Sequence, residues 1–207
     1  MLIGCDISHW QGKRVDFEKM KAAGADFVII KSTDFNWKSG VDDCFLLNAV
    51  KAKAAGLLIG AYHWWLPDSK YGVMEQSALF YSVVGNMCDL PPVLDVEVGG
   101  NPKSLWTARL YAMCRQVEIY FKRRPIIYTS NYIWKSNSIN YGWAKEYPLW
   151  VAHYKVEKPS VPAPWDNWTF WQYSASGPGA TYGINKLDGK AVDLNYFNGS
   201  LADLKAL

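Results

Sequence analysis

The sequence of 207 residues predicts an α/β fold, a single modified TIM-like barrel in which about five βα units are followed by three strands. Three observations support this prediction. A helix, the tripeptide Ala-Ala-Gly and an apolar strand follow one another twice, with the tripeptides at 22–24 and 54–56, as in successive βα units. Eight strand-like segments succeed one another without a linker or a low-complexity stretch. Polar and aromatic residues stand late in these segments, where such barrels carry their active sites.

The first half of the chain alternates between predicted strands and helices. Strands are predicted at residues 2–8, 26–31, 57–63, 91–97 and 125–129. Helices are predicted at 15–24, 44–55, 69–84 and 104–123, and Gly24 and Gly56 are suited to close the first two.

The second half shows little helical periodicity. Three more strands are predicted at 148–154, 168–173 and 191–195, joined by Pro- and Gly-rich loops, and a short helix at 200–207. If the barrel closes, the first and last strands become neighbours. Asp6 and Asp193 would then meet.

Composition favours a carbohydrate partner. The chain has 11 Trp and 13 Tyr, whose flat faces stack on sugars and whose polar edges form hydrogen bonds. A net charge of +3 is too small to indicate nucleic acid, and no apolar stretch approaches the ~18 residues of a membrane helix. The four cysteines contain no C-x-x-C pair, so we expect buried free thiols.

The stretch 91–100 reads as a short buried strand that carries two carboxylates. Asp95 and Glu97 are two residues apart, so a strand would point both side chains to one face. Like charges placed together disfavour double ionisation, which suits a site that needs one protonated and one ionised carboxyl. The alternative is that the pair ends the strand and meets Lys or Arg, and D-x-E alone does not decide between the two.

Motifs along nearly the whole chain resemble those of glycoside hydrolase family 25, the Chalaropsis-type lysozymes of bacterial autolysins and phage endolysins. They include the sequences at 6–11, 27–31, 60–63, 94–97, 128–130, 149–154, 168–173 and 192–195. The resemblance implies that residues 1–207 form a catalytic domain of five βα units and three strands. It also implies an N-acetylmuramidase, which cuts the β-1,4 bond between N-acetylmuramic acid and N-acetylglucosamine in peptidoglycan.

One motif departs from the family pattern. Where members commonly have Lys-Ala-Thr-Glu-Gly, this chain has the sequence Lys-Ser-Thr-Asp-Phe at 31–35. The acid is one methylene shorter and the Gly is missing, which puts a sugar contact from this loop in doubt.

Four carboxylates are the candidate catalytic residues. Glu97 is the expected general acid, because its side chain reaches farther and the charge of Asp95 would raise its pKa. By resemblance, an ionised Asp95 would orient the 2-acetamido group of the substrate as that group attacks the anomeric carbon, with retention of configuration. Asp6 and Asp193 would shape the field, and Asp6 is also a candidate nucleophile. Ordinary hydrogen bonding at strand ends is the alternative for these two.

Candidate substrate contacts are the aromatic and amide residues near the predicted strand ends. They are Tyr62, Trp64, Tyr128, Trp150, Tyr154 and Gln172. Lys31 is expected to pair with a carboxylate of the groove. The remaining tryptophans singled out, at 37, 106, 134 and 143, are assigned to the core or the surface.

Neither a metal nor a cofactor is expected. His9, His63 and His153 could suggest a metal site with Asp6, but no H-x-x-x-H spacing supports it, and each is better explained as an orienting hydrogen-bond partner.

Two other functions are open at this point. One is a family 18 chitinase, which also carries D-x-E but has further acids upstream, where this chain has Leu-Pro-Pro-Val-Leu at 90–94. The other is an inactive wall-binding module. No signal peptide is recognisable. We expect a monomer that acts on the cell wall, either released from a host cytoplasm as a phage endolysin or secreted.

Overall fold

The computed structural model describes residues 1–36, 39–185 and 191–207, and within them eight strands close into a barrel in sequence order. The strands are β1 Leu2–Ile7, β2 Phe27–Asp34, β3 Leu58–Trp64, β4 Val93–Asp95, β5 Ile126–Ser130, β6 Leu149–Ala152, β7 Phe170–Pro178 and β8 Ala191–Phe197. The helices are α1 Phe17–Ala22, α2 Phe45–Ala54, α3 Val73–Val84, α4 Lys103–Phe121, α5 Asn131–Asn137 and α6 Leu201–Ala206, with a 3₁₀ helix at Gly142–Glu146. The predicted α/β barrel is confirmed.

Strand direction changes only at the point of closure. β1 to β7 pair in parallel, and β8 runs antiparallel to both β7 and β1. Asp6 lies opposite Asp193 in the β1–β8 register, as closure predicts. The rule that site residues come late in their strands is wrong for Asp193, which is the third residue of β8. Because β8 runs antiparallel to its neighbours, it begins at the mouth of the barrel, and its site residue therefore comes early in the strand.

The core has two layers that follow the alternation of strand side chains. Phe27 and Ile29 of β2 belong to a cluster with residues of β4 to β8, inside the barrel. Val28 and Ile30 belong to the larger cluster that packs the strands against the helices. Gly4 permits this filling, since a Cβ there would overlap the Phe27 ring.

Several element boundaries differ from the prediction. α3 begins at Val73 rather than near residue 69. α5 was not predicted, although Ser130 is a typical N-cap whose side chain accepts from the Ile133 amide. β4 ends at Asp95, so Glu97 lies beyond it in chain that stays tied to β5, because the Val96 amide donates to the Tyr128 carbonyl at 2.8 Å.

The remaining predictions concern single residue types. The four cysteines are free, and all but the half-buried Cys88 are buried. Trp106 and Trp134 lie in the core and Trp143 packs at its edge, whereas Trp37 lies outside the described residues. In the described part of the chain, no helix has the length and apolar character needed to cross a membrane.

Candidate active site

A cavity of about 160 Å³ opens at the mouth of the barrel, among the residues at the C-terminal ends of the parallel strands. Its lining brings together residues that are far apart in sequence: Asp6, Tyr62, Trp64, Asp95, Glu97, Tyr128, Trp150, Tyr154, Gln172 and Asp193. All four candidate acids are present, and so are all the candidate substrate contacts except Lys31.

Lys31 lies beside the cavity and pairs with a carboxylate, that of Asp34, which is not among the residues that line the cavity. Its Nζ donates to Asp34 Oδ2 at 2.7 Å, and both side chains are buried. The same Nζ stands 4.9 Å from the centre of the Trp64 ring, within cation–π range. Asp34 Oδ1 accepts from the Asn36 amide at 2.8 Å. Both oxygens of the shortened acid are therefore engaged within the protein.

Asp6 is held by two amide side chains. Its Oδ2 accepts from Gln172 Nε2 and from Asn195 Nδ2, each at 2.8 Å. Asn195 Oδ1 in turn accepts from Trp150 Nε1 at 2.9 Å, and Gln172 Oε1 accepts from the Tyr128 hydroxyl at 2.8 Å. The network fixes the carboxylate from the side of β7 and β8.

This network changes the role predicted for Trp150 and adds Asn195 to the site. Trp150 is only 2% exposed and its indole N–H is bonded to Asn195, so it supports the floor of the site and offers no free donor to a sugar. Asn195 was missed by the sequence reasoning. Its signal was its position two residues after Asp193 on β8, which places both side chains on one face.

Asp95 differs from Asp6 in its hydrogen bonding, because no group in the described chain donates a hydrogen bond to its Oδ1. The residue is 6% exposed, and its Oδ1 is buried without a hydrogen-bond partner among the described residues. Trp64 Nε1, on the strand that pairs with β4, is also buried without a partner there. The two residues that carry this unpaired acceptor and this unpaired donor both line the cavity.

The carboxyl groups resist ionisation. Burial raises the pKa of Glu97, whereas the sequence reasoning had attributed the rise to the charge of Asp95. Burial and then the charge of Glu97 raise the pKa of Asp95 well above its usual value. Burial and then Asp193 do the same for the pKa of Asp6, and burial raises that of Asp193 to about 6. Each pair therefore retains a proton more readily than isolated carboxylates do.

The three histidines make separate hydrogen bonds and do not converge. His63 lies between Thr33 Oγ1 at 2.8 Å and Gln76 Oε1 at 3.1 Å, and burial lowers its pKa to about 4. His9 Nδ1 is 3.3 Å from Asp42 Oδ2, and His153 Nδ1 accepts from the Ser160 amide at 2.9 Å. These contacts match the orienting roles expected for them.

Among the described residues, one cluster has ligand atoms close enough to hold a metal: Asp42, Asp43 and Cys44, within 4.8 Å of one another. Its oxygens already have partners. Asp42 accepts from His9 and from the Cys44 amide, and Asp43 pairs with Lys13. These hydrogen bonds and this ion pair explain why the acidic side chains lie close together.

Comparisons with known proteins agree with this geometry. The sequence profile described as Glycosyl hydrolases family 25 matches residues 5–181. Lysozyme M1 of Streptomyces globisporus is 37% identical over 217 aligned positions, which cover 99% of this chain and 70% of that protein. The crystal structure of a bacterial lysozyme from Streptomyces coelicolor is 32% identical with a TM-score of 0.84, covering 100% of this chain and 96% of that one.

A muramidase structure from Acremonium alcalophilum is 28% identical with a TM-score of 0.86, covering 100% of this chain and 98% of that one. The match in sequence extends over most of the chain, and the match in structure over all of it. The chain belongs to glycosyl hydrolase family 25.

Proposed function

We propose that the protein is a peptidoglycan hydrolase, an endo-N-acetylmuramidase that cuts the β-1,4 bond between N-acetylmuramic acid and N-acetylglucosamine. The observation that carries this proposal is the pairing of Glu97 with the unpartnered Asp95 in the mouth cavity. It is supported by relatives named lysozyme and N,O-diacetylmuramidase. We propose that residues 1–207 form a catalytic domain.

Glu97 acts as the general acid in this proposal. Burial raises the pKa of its carboxyl, which favours the protonated form that the departing sugar oxygen needs. Glu97 is less buried than Asp95, as an acid that must reach the glycosidic oxygen should be. Tyr62, Trp64 and Tyr154 would contact the sugars around it.

Asp95 acts on the substrate's own 2-acetamido group. Its unpartnered Oδ1 would accept the acetamido N–H, and the acetamido oxygen would attack C1 as Glu97 protonates the leaving oxygen. The bicyclic oxazolinium ion that results keeps its N–H, hydrogen-bonded to Asp95, and would be opened by water, from which Glu97 now takes the proton. Two displacements at C1 retain its configuration, and no bond to the enzyme forms.

Asp6 supports the site in this scheme and does not attack. Gln172 and Asn195 both donate to the same oxygen of its carboxylate, which restrains the side chain and lowers its nucleophilicity. Asp193, its partner across the β1–β8 pair, adds to the field that opposes ionisation of Asp6.

The cell wall is the proposed place of action, and bacterial glycan strands are the proposed partner of a monomeric enzyme. An autolytic lysozyme of Clostridium acetobutylicum is 30% identical over 94% of this chain and 55% of that protein. Release from a host cytoplasm or secretion would each bring the enzyme to its substrate.

Digestion of purified Gram-positive peptidoglycan tests the function. Soluble fragments are reduced with borohydride and identified by mass spectrometry, with Glu97→Gln beside the wild type. Fragments that end in reduced muramic acid, absent with the variant, would support the proposal. Fragments that end in reduced glucosamine would overturn the bond assignment, and sedimentation with the wall without any product would favour the binding module.

A further inference from the structure

A second and larger cleft, of about 460 Å³, adjoins the candidate active site where α5 faces the segment after β6. We call it the side cleft, and the residues that matter in it are Ser130, Asn131, Tyr132, Lys135, His153 and Ser160. Residues at the ends of β5 and β6 connect the side cleft to the mouth cavity. Ser130 stands two residues after Tyr128 on the same face of β5, roughly 7 Å away, and His153 directly precedes Tyr154.

The side cleft offers unused hydrogen-bonding groups of both kinds. Asn131 Oδ1 is buried without a partner in the described part of the chain, while its Nδ2 donates to Ser160 Oγ. His153 Nδ1 accepts from the Ser160 amide, so the proton of the neutral ring lies on Nε2, which becomes a donor. An acceptor beside a donor is the complement of a peptide, whose N–H and C=O groups alternate.

The charge of the side cleft is opposite to that of the mouth cavity. Lys135 is exposed, no ion pair to it is found among the described residues, and no residue lining the cleft is acidic. The ring of Tyr132 is 77% exposed beside it and presents a flat apolar face. A neutral sugar gains little from a cation, whereas a peptide that carries a carboxylate gains an ion pair.

We propose that the side cleft binds the stem peptide carried by muramic acid, with Lys135 pairing with a peptide carboxylate and Asn131 Oδ1 accepting a peptide N–H. This inference rests on the proposed function, because the glycan in the mouth cavity delivers the peptide. It makes the enzyme sensitive to the peptide substitution of its substrate as well as to the sugar sequence.

Binding tests the inference without any need for catalysis. Muramyl dipeptide and its C-terminal amide share one sugar and differ in a single carboxylate, so the ratio of their dissociation constants by calorimetry isolates the ion pair. We expect the wild type to favour the carboxylate about fivefold, as exposed ion pairs allow, and Lys135→Gln to remove this preference.

Lys205→Gln is the matched control, since it removes the same charge from α6. This helix follows the end of β8 that pairs with Leu2, at the opposite end of the barrel from the mouth. The preference should persist in this control. Equal binding of the two ligands by the wild type, or an unchanged preference in Lys135→Gln, would overturn the inference.

Turnover separates this inference from the proposed function. Peptidoglycan is compared with the same glycan from which an amidase has removed the peptides. The measured quantity is kcat/KM on intact peptidoglycan divided by kcat/KM on the stripped glycan. Lys135→Gln should lower that ratio about fivefold and Lys205→Gln should not. If the wild type cleaves both substrates and Lys135→Gln leaves the ratio unchanged, the side cleft is not a peptide site. If the wild type cleaves neither, the proposed function has failed, and the calorimetry alone decides about the side cleft.

Discussion

Two aspartates in one cavity are buried to nearly the same extent and are bonded very differently. Asp6 is 7% exposed and Asp95 is 6% exposed, yet Asp6 accepts two amide hydrogen bonds while Asp95 Oδ1 accepts none from the described residues. Burial raises the pKa of both. The difference lies in hydrogen bonding: the protein supplies two donors to Asp6 and, among the described residues, none to Asp95 Oδ1, which we propose is left for the substrate.

An unsatisfied buried acceptor costs on the order of 1–3 kcal/mol of stability. In a site that binds a substrate amide, this cost is returned when the ligand donates its N–H. The comparison therefore predicts that changes at the Asp95/Glu97 pair affect activity far more than stability, and that changes around Asp6 affect both.

The largest effect on activity is expected for Glu97→Gln. The amide cannot give up a proton to the leaving oxygen, so kcat should fall by roughly 10²–10⁴-fold with little change in folding. Release of reducing ends from peptidoglycan and the melting temperature measure the two effects. Glu75→Gln, an exposed change at the start of α3, is the control and should match the wild type. Equal loss of activity in both variants would contradict the assignment.

Asp95→Asn should separate activity from stability most clearly. Loss of the carboxylate should lower kcat about 10²-fold, because the acetamido group is no longer oriented and stabilised. Because burial and the charge of Glu97 disfavour ionisation of Asp95, a neutral amide there should also raise the free energy of unfolding near neutral pH by about 1 kcal/mol. Urea denaturation beside kinetics tests this, and a variant that is both inactive and destabilised would show that Asp95 has a structural role.

Asn195→Ala is expected to affect stability more than activity. Asp6 loses a donor and Trp150 Nε1 loses its acceptor, so the free energy of unfolding should fall by about 1–3 kcal/mol. Activity should fall only about tenfold, since no reacting group is removed. Denaturant titrations measure the first effect. A loss of activity as large as that of Glu97→Gln, without a loss of stability, would place Asn195 among the reacting groups.

The smallest effect is a pH dependence at Asp193. Its pKa is raised to about 6, so protonation favours the folded state, and this contribution is present below about pH 4 and is lost as pH rises through 6. The pKa of His63 is lowered to about 4, so His63 makes stability rise with pH over the same range. The contribution of Asp193 is therefore measured as the difference in stability between the wild type and a variant at Asp193. Relative to the wild type, Asp193→Asn should gain on the order of 1 kcal/mol between pH 5 and pH 7. A difference independent of pH would contradict the raised pKa.

The positions of the four acids could be predicted because strand alternation and barrel closure are encoded locally. Apolar runs with polar ends place Asp6, Asp95 and Glu97 at one mouth, and closure places Asp193 opposite Asp6. The direction of β8 could not be read from its own residues, because pairing with β1 and β7 determines it.

The hydrogen-bond partners of the site residues could not be predicted from the sequence patterns. Asp6 and Asn195 are 189 residues apart, and only the closed barrel brings them within 2.8 Å. The side cleft likewise joins Asn131 to Ser160 across the segment after β6. A pattern shows which face a side chain takes, whereas the tertiary fold determines which group it meets.

Inhibition by a muramic acid thiazoline, a stable analogue of the proposed bicyclic intermediate, tests most directly the claim that Asp95 is left for the substrate. Inhibition constants for the wild type, Asp95→Asn and Asp6→Asn are to be compared. We expect Asp95→Asn to weaken inhibition by about 10²-fold, the range for a hydrogen bond to a charged group, and Asp6→Asn to weaken it far less. A larger loss in Asp6→Asn, or a glycosyl adduct trapped on either aspartate, would contradict it.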